Sequence, residues 1–195
     1  MTLLRRILPA LLLLAAAGAP AFAGGNVNVL LGQRFMDEND WGPVDKPVAY
    51  GVQTDFSLFG WPVNLAVGLH ESRKSDSFTG PPNQSRYDVT GTFTELDLGV
   101  VRPFDPGYGI HPYIGGGLAA VHAKKEADHS SGGSREGSDT TEGIYLAGGV
   151  YWKLGERFNL GVHARIVAGS GMTLGNQDAS PDYYQAGALF GWSWE

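Results

Sequence analysis

His70 and Ser72 stand two residues apart with Glu71 between them. A hydroxyl becomes a nucleophile when a base lies within hydrogen-bond reach and a third group orients that base. The spacing works against this trio: on a strand, residues two apart share a face and the one between points away, so Glu71 is separated from the pair. His129-Ser130-Ser131 sits in a Gly/Ser stretch, and a loop of that composition does not hold a catalytic geometry. Asp37-Glu38-Asn39-Asp40 gathers carboxylates but lacks the glycine and distal glutamate that a calcium loop uses. Glu126, Asp128, Glu136, Asp139 and Glu142 read as a solvated acidic surface. No phosphate-cradling loop, zinc spacing or nucleophile elbow is present. The sequence therefore predicts no catalytic residue, no cofactor and no metal site.

The chain opens with Arg5-Arg6, an apolar run from Ile7 to Ala17, and Ala21-Phe22-Ala23. A basic start, a short greasy middle and a small-residue exit define a secretory signal peptide. Pro9, Gly18 and Pro20 interrupt the run, which falls short of the roughly 20 residues a spanning helix needs. We expect a cleaved signal peptide over residues 1–23 and one domain over residues 24–195. Removing Arg5 and Arg6 from 14 basic side chains leaves 12 against 20 acidic ones, a net charge of −8. That balance argues against nucleic acid as a partner, which calls for a basic face. Cysteine is absent, so no disulfide holds the exported domain, and a closed hydrogen-bonded barrel in a membrane is another source of stability.

The elements that must position any polar group are strands. In the last stretch Tyr184, Ala186, Ala188, Phe190, Trp192 and Trp194 share one face, while Gln185, Gly187, Gly191 and Ser193 take the other, with Leu189 among them. Rings crowding one face at a strand end have the form of an aromatic girdle at a bilayer interface. The same period of two recurs upstream. Val48, Tyr50, Val52, Thr54 and Phe56 oppose Ala49, Gly51, Gln53 and Asp55; Leu65, Val67 and Leu69 oppose Ala66, Gly68, His70 and Ser72. Leu96, Leu98 and Val100 oppose Glu95, Asp97 and Gly99; Leu160, Val162 and Ile166 oppose Asn159, Gly161, His163 and Arg165. With Val27 to Phe35, a strand around Ile114 to Ala120 and one around Ile144 to Trp152, the sequence predicts eight strands and no helix. The connections alternate long and short. Polar segments Met36 to Lys46, Arg73 to Arg86, Lys124 to Glu142 and Gly169 to Asp182 alternate with tight turns near Trp61, Pro106 and Gly155. Outer-membrane barrels have short periplasmic turns, long outer loops and an even strand number. The fold class expected is all-β: an eight-stranded antiparallel up-and-down transmembrane β-barrel.

These carriers give the chain a resemblance. The leader, the run Glu95-Leu96-Asp97-Leu98-Gly99-Val100, the strand start Pro112-Tyr113-Ile114-Gly115-Gly116-Gly117 and the aromatic end are similar to the small eight-stranded outer-membrane barrels. That group includes the transmembrane domain of outer-membrane protein A and the X-type proteins. The resemblance covers the chain after the leader. It implies the outer membrane of a Gram-negative bacterium, both termini in the periplasm, contact with lipid and lipopolysaccharide, and recognition of the closing strand by the barrel-assembly machinery. In the family the final residue is usually aromatic; here Glu195 follows Trp194.

The chemistry left to weigh is inside. Counted from the short-turn ends, Arg34, His70, Glu95 and Arg165 fall at similar heights, with Asp97 and His163 just below. An unpaired charge in a narrow lumen is costly, so these six residues are expected to form a structural ion network, with Glu95 and Arg165 as partners. The functional alternative is a gate. An eight-stranded barrel is just wide enough for its own side chains. The function expected is therefore a non-enzymatic, monomeric scaffold presenting extracellular loops for envelope integrity, adhesion or interaction, with the extracellular partner unidentified. The rivals are a narrow small-solute channel, an outer-membrane lipid-modifying enzyme using His70 and Ser72, and a soluble barrel binding an apolar ligand.

Overall fold

The computed structural model describes residues 24–194 except 59, 81–84, 130–132, 170 and 176. The expected signal peptide, residues 1–23, and Glu195 lie outside the described residues. Among the described residues ten strands follow in order: β1 (Gly25–Met36), β2 (Val48–Ser57), β3 (Asn64–Gly80), β4 (Ser85–Pro103), β5 (Ile110–His129), β6 (Ser134–Leu154), β7 (Phe158–Gly169), β8 (Met172–Leu174), β9 (Gln177–Ala179) and β10 (Tyr183–Trp194). Eight of them close into an antiparallel barrel in the order β1-β10-β7-β6-β5-β4-β3-β2, and β8 and β9 form a separate hairpin. Closure leaves no edge in the barrel wall, which is what a sheet surrounded by lipid requires.

The alternation read from the sequence is the alternation of the wall. Val29, Leu31, Leu96, Leu98, Leu118, Leu146, Val162 and Ile166 are exposed outward, while Leu30, His70, Glu95, Asp97 and Arg165 between them are buried inward. Among the described residues no helix is long and apolar enough to cross a membrane; the crossing elements are strands. Near the terminus-bearing end Phe158 packs edge-on against Trp192 at 4.8 Å between centroids, and the Arg157 guanidinium lies 5.6 Å from the Trp192 ring. At the other margin of the apolar band Tyr50 donates a hydrogen bond of 2.7 Å to Glu71.

Two expectations need correction. The polar segments Arg73 to Arg86 and Lys124 to Glu142 are mostly strand, not loop. The β3–β4 ladder continues from Arg73↔Thr92 to Gly80↔Ser85, and the β5–β6 ladder from Lys124↔Ser138 to Asp128↔Ser134. Beyond the lipid both faces of a strand meet water, so the apolar–polar alternation that marks a strand disappears while the backbone keeps pairing. What alternates along the chain is how far each connection reaches past the apolar band, rather than how many residues are unpaired. The second correction is a helix. A single turn, α1 (Glu38–Trp41), lies between β1 and β2, with the Asp37 carboxylate accepting the Asn39 N–H at its start, 2.9 Å. One turn is too short to show a helical period, but the capping aspartate is a signal that sequence offers.

Candidate functional site: the barrel lumen and its cap

Strands β1, β3, β4 and β7 bring most of the expected charges into one layer. Glu95 is its centre. Arg34 Nη2 lies 3.0 Å from Glu95 Oε2, and Arg165 Nη2 lies 2.5 Å from Glu95 Oε1. Arg165 Nη1 donates to Asp97 Oδ2 at 2.8 Å and reaches His70 Nε2 at 2.7 Å. A guanidinium only donates, so His70 Nε2 accepts here and the ring is neutral. Its 3.0 Å approach to Asp97 Oδ2 is then two acceptors sharing one Arg165 nitrogen, rather than an ion pair. Two guanidinium groups face two carboxylates, and the layer is neutral as a unit. Glycine makes room for it: a Cβ at Gly51 would stand 2.5 Å from His70 Nδ1, and one at Gly68 would stand 2.9 Å from His70 Nε2.

His163, expected in the same network, lies apart. Its Nδ1 bonds the Tyr113 hydroxyl at 2.7 Å, and the two rings stack. In its place the layer holds a residue that alternation alone did not single out. The Tyr183 hydroxyl donates to Glu95 Oε2 and accepts from Arg34 Nη2 at 3.2 Å, and Arg34 lies 3.8 Å from the Tyr183 ring centre. The signal is present in the sequence, since alternation back from Tyr184 turns Tyr183 inward. In the aromatic pair, the lipid-facing member is the more conspicuous.

Above the layer the mouth is filled. The β1–β2 connection folds back over the barrel and drives Trp41 and Val44 to 0% exposure. Trp41 meets Phe93 edge-to-face at 4.5 Å and joins a core with Met36, Val121, Val167, Met172 and Leu174. Polar contacts secure this cap from two sides. Trp41 Nε1 donates to the Ser180 carbonyl at 2.8 Å, and Ser180 N donates to Asp40 Oδ2 at 2.8 Å. Lys125 Nζ donates to the Asp40 carbonyl at 3.0 Å, and Lys74 Nζ to the Pro43 carbonyl at 2.7 Å. Burial pulls the Lys125 ammonium below its ordinary pKa, with the Asp40 charge acting against the shift.

At the terminus-bearing end polar side chains gather around Asp55, the one buried acid of this part of the lumen among the described residues. Asp55 Oδ1 accepts from Asn26 Nδ2 at 3.0 Å and from Asn64 Nδ2 at 2.6 Å. Asn159 Nδ2 and Ser193 Oγ both donate to Asn26 Oδ1, at 3.1 and 2.6 Å. A ring of Leu30, Ala66, Val101, Tyr113, Tyr151 and Leu189 forms a second apolar cluster in this part of the lumen. The pair His70 and Ser72 is 0% exposed within the lumen, and Glu71 points outward to Tyr50. No group of three or more His, Cys, Asp or Glu side chains able to hold a metal ion occurs among the described residues.

Residues 9–193 match the family described as outer membrane protein beta-barrel domain. No curated protein matches the chain. Solved structures resemble it in fold. A major outer membrane protein from Thermus thermophilus has a TM-score of 0.60 at 10% identity, with 87% of this chain and 99% of that chain covered. Ail, the attachment invasion locus protein of Yersinia pestis, has 0.57 at 13% identity, with 88% and 98% covered. The N-terminal β-barrel domain of Pseudomonas aeruginosa OprF has 0.51 at 19% identity, with 87% and 97% covered.

Proposed function

The chain belongs to the outer membrane protein beta-barrel domain family, and from that premise we propose that it is a sealed, non-enzymatic scaffold that holds two stiff hairpins outside the cell. The family implies the outer membrane of a Gram-negative bacterium, and lipid meets the apolar outward face. The observation that carries the scaffold reading is the stacked closure of the lumen. Trp41 fills the mouth at 0% exposure, and directly beneath it Arg34, Arg165, Glu95 and Asp97 neutralise one another. A channel needs a continuous wet path, and both layers put buried side chains in its way. Catalysis on lipid draws no support from His70 and Ser72, which lie inside the wall.

The orientation that fits is with the termini and the short turns in the periplasm and the β3–β4 and β5–β6 hairpins outside, where lipopolysaccharide surrounds their bases. Residues 1–23 act as the cleaved signal peptide, the closing strand β10 is the part read by the assembly machinery, and the barrel works as a monomer. The exposed charges of the hairpins, including Lys124 between Glu126 at 2.6 Å and Glu136 at 3.0 Å, suit a water-facing presentation surface. Planar-bilayer recording tests the seal: the purified protein is expected to give no single-channel steps, and discrete steps from the wild type would favour a channel. Mass analysis of membrane lipids from cells with and without the protein is expected to show no difference; a protein-dependent lipid product would overturn the non-enzymatic reading.

A further inference from the structure

We propose that the outward corner formed by Arg157 and Trp192, at the terminus-bearing margin of the barrel, binds the phosphate of an anionic phospholipid. Phe158, Phe190 and Trp192 are exposed on the lipid face. Their rings form one platform, with Phe158 6.3 Å from Phe190 and 4.8 Å from Trp192 between centroids. Rings on the outer face of a barrel mark the level at which acyl chains give way to headgroups. Arg157 stands at the water side of this platform, between it and the turn residues Gly155 and Glu156. Its carbonyl accepts the Ser193 N–H at 2.6 Å, which ties it to the end of β10, and its guanidinium lies 5.6 Å from the Trp192 ring centre. The pattern recurs at this end, where the Arg102 guanidinium lies 5.4 Å from the Phe104 ring centre.

Charge points the same way. Arg157 is exposed, and no carboxylate of the described residues lies within ion-pair distance of it, its neighbour Glu156 included. Lys124 and Lys74, at the other end, are matched within the protein: Lys124 by Glu126 and Glu136, Lys74 by Asp45 and Asp76. A guanidinium resting on a ring keeps its N–H edge free, and that edge fits two oxygens of one phosphate. Phe158 and Phe190 give the acyl chains of the same molecule a surface to lie on, which a free phosphate cannot use. The ligand is therefore a lipid. Its assignment to the periplasmic leaflet rests on the orientation proposed above, whereas the binding does not.

The test uses the full mature barrel in maltoside micelles, which contain no phosphate and have no sides, so binding is read apart from orientation. Short-chain phosphatidylglycerol is titrated in while the Arg157 Nε–H resonance is followed by NMR. The resonance is expected to shift saturably. It is expected to stay in place with the matching diacylglycerol, which has chains but no phosphate, and with inorganic phosphate at the same concentration, which has no chains. Arg135, exposed on the β5–β6 hairpin, is expected not to respond. A shift of the same size with inorganic phosphate would overturn the lipid as ligand. No saturable shift with phosphatidylglycerol, or the same shift at Arg135, would overturn the site. Native mass spectrometry supplies the second arm: Arg157→Gln, which leaves every girdle ring in place, is expected to retain less phosphatidylglycerol than the wild type, and equal retention would count against the proposal. If that variant does not refold, the wild-type titration still decides.

Discussion

Glu95 bonds two guanidinium groups and a phenol at 0% exposure, so its removal strands charges that have no other route to water. Glu95→Gln and Arg165→Gln are each expected to cost about 3–5 kcal/mol, and the double variant clearly less than the sum, in a double-mutant cycle on reversible unfolding. Strict additivity would show that the two do not act as a unit. Asp139 offers a contrasting case at the surface. Its carboxylate accepts the backbone N–H of Thr173 at 2.7 Å and of Thr140 at 2.8 Å, and these bonds hold its pKa below the ordinary 3.8. A depressed carboxylate contributes its stabilisation above the ordinary value and loses it as pH falls through the lower, folded value. The tether from β6 to β8 should therefore be unchanged between neutral pH and about pH 5. It should weaken in stronger acid, become independent of pH in Asp139→Asn, whose amide oxygen still accepts, and be absent in Asp139→Ala, as read by amide exchange at Thr173. Much of the ion layer was legible because alternation sets the facing of every residue in a strand. His163 stands apart from the layer because a count of residues gives height without the partner: Tyr113, two strands along the wall and lying over Gly149 of β6, bonds the ring that sequence assigns to the charges.

A strand in lipid and the same strand in water obey different rules, and β5 and β6 pass from one regime to the other. Leu118 is 65% exposed on the lipid face, so Leu118→Arg is expected to destabilise the barrel by roughly 2–4 kcal/mol. Ser138→Arg, on the paired extension beside Lys124, is expected to be near neutral in the same unfolding assay. Equal costs at both positions would place the apolar band wrongly. The same boundary explains the limit of the sequence reading. Hydropathy alternation located all eight barrel strands and stopped where lipid stops, so Arg73–Gly80 and Lys124–Asp128 looked like loop. α1 and the β8–β9 hairpin escaped for a related reason. Elements of three or four residues are too short to display a period, and they exist through contacts with the barrel mouth rather than through their own pattern.

For the molecule as a whole, the hairpin extensions predict a protease map. Trypsin on intact cells is expected to cut at Arg135, whose pair with Ala127 is next to the last of the β5–β6 ladder and frays with its end, and to spare Arg73 and Lys124, which lie deeper within their ladders. Prompt cleavage at Lys124 would mean that the extension is frayed in solution, and cleavage confined to Arg157 would invert the orientation in the membrane. The cap carries a consequence for time rather than for shape. It joins Trp41 to Ser180, 139 residues away in the chain, across the mouth and near the seam where β1 meets β10. Contacts between such distant segments come late, after the costly closure of the ring. An interaction absent from the folding transition state slows unfolding while leaving the folding rate almost untouched. Trp41 then works as a clasp fastened after the ring has closed, and Trp41→Ala is expected to speed unfolding while leaving the folding rate almost unchanged in rate measurements on the refolded barrel; folding slowed as much as unfolding is quickened would place the clasp before closure.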